Sequence, residues 1–222
     1  MRDFPVFETE FGVAGLVLRD VPYWQNAYIK ILSSLDPKKL LKECTDFCKV
    51  VGAERIYASG HSALEEYPVF ATIVKMQCSV KDLPDTDAVA HLVTEQTLSQ
   101  WKEIYNNMMA SVPNAAYMDD ARGRELLAGQ DGYLIYRDHT LIGIGKAEGR
   151  TIHALASVVP GAGQDVVCAL AKILPTETVD LLVARENARA FGLYQRLGFA
   201  VCEEISRWYK ICECQTIILD KV

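Results

Sequence analysis

The sequence predicts a mixed α/β (α+β) fold built in two successive parts, and three observations carry that reading. Short β-branched, apolar runs alternate along the 222 residues with segments whose apolar residues recur at helical spacing. An order of strand, strand, helix, strand, short helix, strand is followed by a longer order that resembles it from its second strand onward. "TVDLLVA" (178–184) is an apolar, β-branched run that reads as a strand buried on both faces of a sheet. A chain of this length can bury a sizeable core as one large domain or two small ones. The expected division is an α/β half-domain over 1–80, with a structural or substrate-shaping role, and a larger domain over 76–222.

In the first part, "FGVAGLVLRDVPYWQNAYIKILSS" (11–34) places two apolar, β-rich runs around the polar turn Asp20-Val21-Pro22, a predicted hairpin. Asp36-Pro37 opens a helix whose stripe is Leu40, Leu41, Cys44, Phe47 and Val51, and Gly52 stops it. A short strand at 55–59, a helical turn at 63–67 and the strand "VFATIVKMQCSV" follow.

In the second part, Asp85 and Thr86 after Pro84 offer an N-cap for a helical region expected to run to about Ala110, broken near Thr94 to Thr97 and restarting at "LSQWKEIYNNMM". Another helix is predicted from Asp119 to Ala128, ended by Gly129. The strands "GYLIYRD" and "LIGIGKAEG" are joined by Asp138-His139-Thr140. "TIHALASVV" is a third strand and "QDVVCALAKIL" a helix. After "TVDLLVA" come the helix "NARAFGLYQRLG", closed by Gly198, and two final strands, "FAVCEEISRWYKI" and "CQTIILD". The chain reads as one and a half copies of a single plan, without enough identity between the halves to constitute a sequence repeat.

A formal charge of −6 argues against nucleic acid, whose phosphates demand a basic face. No stretch approaches the ~20 apolar residues of a membrane span. The start, MRDFPVFETE, has no apolar signal-peptide core. The expectation is therefore a soluble, cytoplasmic protein that engages neither membrane nor nucleic acid. Seven cysteines, an odd number, suit reduced thiols. Cys44 and Cys48 lie one helical turn apart and Cys212 and Cys214 share a strand face, but neither pair forms C-x-x-C and no histidine lies near either, so no metal is expected.

The chemistry-bearing stretch begins at Asn187. "NARAFGLYQRLGF" spells N-x-x-A-x-x-L-Y-x-x-L-G-F through Asn187, Ala190, Leu193, Tyr194, Leu197, Gly198 and Phe199. Leu193, Leu197 and Phe199 would pack in any amphipathic helix and its following strand, Gly198 is an ordinary C-cap and Asn187 an ordinary N-cap, so the combination matters rather than any member. That combination, directly after a buried strand, closely resembles the C-terminal signature of the GNAT acyltransferases, which move an acyl group from coenzyme A to an amine. The resemblance spans about two-thirds of the chain, from near Met76 to the C-terminus. It implies a mixed, mostly antiparallel central sheet flanked by helices, preceded here by a smaller GNAT-like half-domain.

The resemblance also implies roles. Tyr194 would aim its hydroxyl at the coenzyme A sulfur and protonate the leaving thiolate, as a phenol of pKa about 10 can. Asn187 would hold the pantetheine arm, and backbone groups at Val158 and Val159 would bond that arm and polarise the thioester carbonyl. Amines of pKa near 10.4 must lose a proton before attack. His153, on the strand that leads into the loop, is the candidate base, with Glu148 and Glu186 as alternatives. The co-substrate would be acetyl-CoA, without a metal. The expected partner is a small-molecule or peptide amine acceptor, with a homodimer as a compatible assembly.

The loop "VVPGAGQDVVCAL" (158–170) would then cradle the pyrophosphate through Gly161, Gly163, Gln164 and Asp165 at a helix N-terminus, where bare N–H groups bind anions and glycine permits close approach. Val158-Val159-Pro160 matches the family's strand end, but Ala162 stands where the family carries Arg or Gln, Asp165 where it carries Gly, and Val167 where it carries Gly or Ala. A first-turn carboxylate satisfies the same N–H groups and so competes with phosphate. Two unit charges ~4 Å apart repel by about 1 kcal/mol in water and about 4 at an effective dielectric of 20. That corresponds to roughly one to three orders of magnitude in affinity. Two functions compete on these residues: an acyl-CoA-dependent N-acyltransferase, supported by Tyr194 and Asn187, and a catalytically inactive GNAT-fold binding or regulatory module, supported by Ala162, Asp165 and Val167. Nucleotide binding on a Rossmann-like fold is disfavoured, because the glycines do not form G-x-G-x-x-G.

Overall fold

A computed structural model of the chain describes residues 5–113 and 115–213. They divide into two compact units, one of residues 5–72 with 206–213 and one of 73–205. The sequence reading draws its boundary at 76–80; the structure draws it at 72/73 and returns the end of the last described strand to the first unit.

The first unit carries β1 (Val6–Thr9), β2 (Gly12–Val17), β3 (Asn26–Ser34) and β4 (Arg55–Ser59), with the end of β11 (Ala200–Glu213) beside β4. Pairing is antiparallel except between β3 and β4, which run parallel through five consecutive pairs from Asn26↔Arg55 to Lys30↔Ser59. The expected hairpin is present, but a one-turn helix, α1 (Val21–Trp24), fills its connection, and β1 is an additional strand. Between β3 and β4 runs α2 (Pro37–Val50). Its buried stripe is Leu40, Leu41, Cys44 and Cys48, whereas Phe47 and Val51 face out, Phe47 against the ring of Phe7. Gly52 at φ +94° closes the helix in the left-handed conformation that favours glycine. A 3₁₀ turn at Ser62–Glu66 leads to β5 (Val69–Ser79).

In the second unit the strand order is β11, β5, β10 (Thr178–Ala184), β9 (Thr151–Ser157), β8 (Thr140–Glu148), β7 (Gly132–Arg137), β6 (Val89–Leu92). From β5 to β6 neighbours pair antiparallel except β9 and β10. Here the helix expected from Asp85 is corrected: after a 3₁₀ turn at Val80–Asp82, residues 89–92 are an edge strand on β7, with His91 edge-on to Tyr136. "AVAHLV" is apolar at nearly every position, so neither periodicity stands out, and pairing with the edge of β7 decides its conformation. The helical restart is correct. Thr97 accepts the N–H of Thr94, and α3 (Leu98–Met109) follows, burying Trp101 completely. Asp119 caps α4 (Asp120–Gly129).

On another layer, α5 (Gly163–Ile173) lies close over β8, because Gly143 and Gly145 leave room: a Cβ at either would come within 2.4 Å of Val166 or Leu170. Val166, Val167 and Leu170 form one core with Val179, Leu181 and Val183 of β10. β10 is not buried throughout, since Leu182 is half exposed. The strand expected at "CQTIILD" lies outside the described residues. Among the described residues no helix is long and apolar enough to cross a membrane.

Candidate active site

β9, α5, β10 and α6 (Ala188–Arg196) build the site. β9 and β10 are parallel neighbours, yet they pair only at Thr151↔Asp180 and Ile152↔Leu181. At that point β9 carries an extra residue: Lys146 pairs with Ala154 and Ala147 with Ile152, so His153 is the bulge. Beyond it the ends of the two strands are unpaired with each other among the described residues, which leaves an open wedge at their C-terminal ends.

The bulge also sets which backbone groups face that wedge. Val158 donates its N–H to Ile142 of β8 at 2.9 Å, so its amide is already used. Strand alternation then turns the amides of Leu155, Ser157 and Val159 to the β10 side, where no strand receives them. Val159 keeps its N–H there, while its carbonyl accepts Ala162 N–H at 3.2 Å and Ser157 Oγ at 2.7 Å. The sequence reading placed these backbone donors at Val158 and Val159. It missed Leu155 and Ser157, because a bulge leaves no mark in residue type.

The apex of the wedge is held by a buried carboxylate. Asp180 accepts Thr151 Oγ1 at 2.6 Å and Arg150 Nε at 2.9 Å, and lies 3.0 Å from Lys75 Nζ. Burial alone would raise its pKa; the Thr151 hydroxyl, Lys75 and Arg150 outweigh that and lower it.

The turn into α5 is open. Gly161 sits at φ +85° with nothing within 4 Å of where a Cβ would be. No side chain caps Ala162. Among the described residues the first-turn amides of Gly163, Gln164 and Asp165 find no acceptor. Ala162 and Val167, the departures from the family loop, are buried in the core, and Gln164 is exposed. Asp165 does not cap its own helix. Its carboxylate accepts Thr86 Oγ1 at 2.8 Å and Arg137 Nη1 at 2.5 Å.

α6 lies beside this turn: a Cβ on Gly163 would come 2.9 Å from Leu193 Cδ2. Asn187 caps α6 by accepting Ala190 N–H at 3.2 Å, leaving its amide NH₂ uncommitted among the described residues. Gly198 at φ +88° and the bond from Phe199 N–H to the Tyr194 carbonyl close the helix. Tyr194 is buried in the same core as Val159, Ala162 and Val167, and burial pushes its phenol up to about 12. Its hydroxyl has no hydrogen-bond partner among the described residues.

The structure thus places Val159, Gly161, Gly163 and Gln164 at the C-terminal end of β9 and the start of α5, with Asn187 at the start of α6 and Tyr194 in its last turn, packed in one core with Val159. His153 is exposed at the bulge, at the start of the wedge, and Glu148 and Glu186 are exposed at strand ends. Among the described residues no group of His, Cys, Asp and Glu could hold a metal.

No known protein-family profile matches this sequence, and neither does any curated protein. Solved structures do match. A functionally unknown conserved protein from Staphylococcus epidermidis is 12% identical with a TM-score of 0.62, over 95% of this chain and 94% of that one. A tandem GNAT protein from the clavulanic acid biosynthesis pathway is 13% identical with a TM-score of 0.54, over 92% and 80%. A GCN5-related N-acetyltransferase from Kribbella flavida is 15% identical with a TM-score of 0.51, over 99% and 93%. At these identities the likeness is one of fold, and the chain has the GNAT fold.

Proposed function

We propose that the second unit is an acyl-CoA-dependent N-acyltransferase acting on a primary amine, with acetyl-CoA as the simplest donor. The observation that carries this reading is the wedge between β9 and β10, which exposes strand amides directly beneath an uncapped helix N-terminus. An extended amide-bearing arm can add to a strand edge as a partner strand does, and a pyrophosphate suits bare first-turn N–H groups. The residues present therefore fit coenzyme A.

Bound there, the thioester supplies an electrophilic carbonyl and a thiolate leaving group. The chain's own residues do the rest. The amides of Leu155, Ser157 and Val159 hold the pantetheine arm and give donors for charge developing on the carbonyl oxygen. Gly161 lets the backbone approach the phosphates, and the amides of Gly163, Gln164 and Asp165 receive them. Asn187 offers its NH₂ to an amide carbonyl of the arm. Tyr194, neutral at every physiological pH, donates its proton to the departing sulfur. A phenol near 12 is a weak acid, so the transfer depends on the departing thiolate being held against it and away from water. His153 is the candidate that takes the amine proton, directly or through water.

Titration calorimetry of the full chain with acetyl-CoA tests the reading. Micromolar to sub-millimolar binding is expected. No detectable heat at millimolar ligand would overturn it and favour the inactive module, for which the buried Ala162 and Val167 would then be the explanation.

A further inference from the structure

We infer that Arg137 is a positioning residue for the phosphate loop: with Thr86 it latches the Asp165 carboxylate away from the first turn of α5, so that a loop bearing an acidic residue can still receive an anion. The inference rests on the acyl-CoA reading above.

An Asp in the first helical turn ordinarily turns its carboxylate onto the N-terminal amides, which it satisfies as an anion would. Asp165 has both oxygens engaged elsewhere, Oδ1 by the Thr86 hydroxyl and Oδ2 by the Arg137 guanidinium. Both partners stand on hydrogen-bonded backbone or side chains. Arg137 ends β7, paired to Thr140 across the turn into β8. Thr86 accepts Ala88 N–H at 3.1 Å, and its carbonyl accepts Lys172 Nζ at 2.9 Å. The carboxylate is about one-fifth exposed and the Arg137 side chain about two-fifths, so the pair is partly, not fully, screened by solvent.

The latch does two things to the amides of Gly163, Gln164 and Asp165. It keeps the internal competitor off them, and it cancels the negative charge that would repel a phosphate. Its three residues come from the segment before β6, from the end of β7 and from α5, so the device exists only once these elements are packed. It replaces, by pairing, the neutrality that a glycine at position 165 would have by composition.

The test is coenzyme A binding by calorimetry to the wild-type chain, Arg137→Gln, Asp165→Asn and the double variant. Arg137→Gln should weaken binding about tenfold or more, since a carboxylate is released beside an anion site. Adding Asp165→Asn should restore most of that loss, a rescue that a purely structural role for Arg137 would not produce. Asp165→Asn alone should bind as tightly as wild type or more so. Arg137→Lys, which keeps the charge, should stay closer to wild type and shows that the position tolerates substitution. Wild-type binding with Arg137→Gln within twofold of it, or a double variant as weak as Arg137→Gln, overturns the latch and leaves the acyl-CoA reading standing. Absence of binding to the wild type overturns both.

Discussion

Each unit contains a parallel strand–helix–strand crossover, and the two crossovers differ in the features that make a site. In the first unit β3 and β4 stay paired through five residue pairs, and the helix between them is closed at its start: Asp36 accepts the N–H of Lys39, and Pro37 removes a donor. In the second, β9 and β10 pair twice and then part at a bulge, and the helix between them starts uncapped. In the first crossover the described strand pairs and the helix start already have backbone partners. The other leaves strand amides and helix amides unsatisfied around one wedge, and unsatisfied backbone groups are what a ligand can complete. The same local plan is therefore closed in one unit and open in the other.

The sharpest way to break that comparison is at Tyr194, which lies on the helix that follows β10, whereas β4 is followed by the 3₁₀ turn Ser62–Glu66, which carries no tyrosine. Tyr194→Phe should lower turnover of acetyl-CoA with an amine acceptor by about 100-fold or more, with coenzyme A affinity changed much less. Because burial holds the phenol near 12, loss of its proton should cause no fall in wild-type turnover below about pH 10. Equal rates for wild type and variant would remove Tyr194 from the chemistry.

The clamp at the apex comes next in size. Asp180→Asn should reduce stability by about 1–3 kcal/mol in urea denaturation at neutral pH and lower coenzyme A affinity by loosening the point where β9 and β10 part. The sign follows from the lowered carboxyl pKa: the stabilisation is complete above the unfolded value of about 3.9 and is lost as pH falls through the lower folded value. The gap between wild type and variant should therefore close in acid; a gap of constant size would show that packing, not the charge, is responsible.

The smallest effects come from exchanging the caps. Asp36→Ala should lower the denaturation midpoint without altering coenzyme A affinity. Ala162→Ser, which gives α5 a side-chain cap like that of α2, should weaken coenzyme A binding severalfold while leaving stability unchanged or slightly raised. Loss of affinity in Asp36→Ala, or none in Ala162→Ser, would sever the link between capping and binding.

Much of this was legible residue by residue. The helix at 188–196 announced itself through Asn187, the Leu193 and Leu197 stripe and Gly198, all of which act locally. The loop at 158–165 was legible from Pro160 and its glycines. Other features were not. Val89 to Leu92 is a strand because β7 has an edge to cover, and His153 is a bulge because β9 must pair with β8 on one side and leave β10 on the other. The placement of the Asp165 carboxylate depended on Arg137 and Thr86, distant in sequence, and no short-range pattern connects the three.

By itself, then, the sequence determined the mixed α/β class, most elements and the stretch that resembles an acyltransferase signature, because helical spacing, caps and turns are encoded within a few residues of where they act. Only the tertiary structure decided that β9 and β10 diverge, which amides remain unpaired, and that Asp165 faces Arg137 rather than its own helix. Those outcomes are set by which groups packing brings together, and a carboxylate goes to whichever donors the fold has placed within its reach.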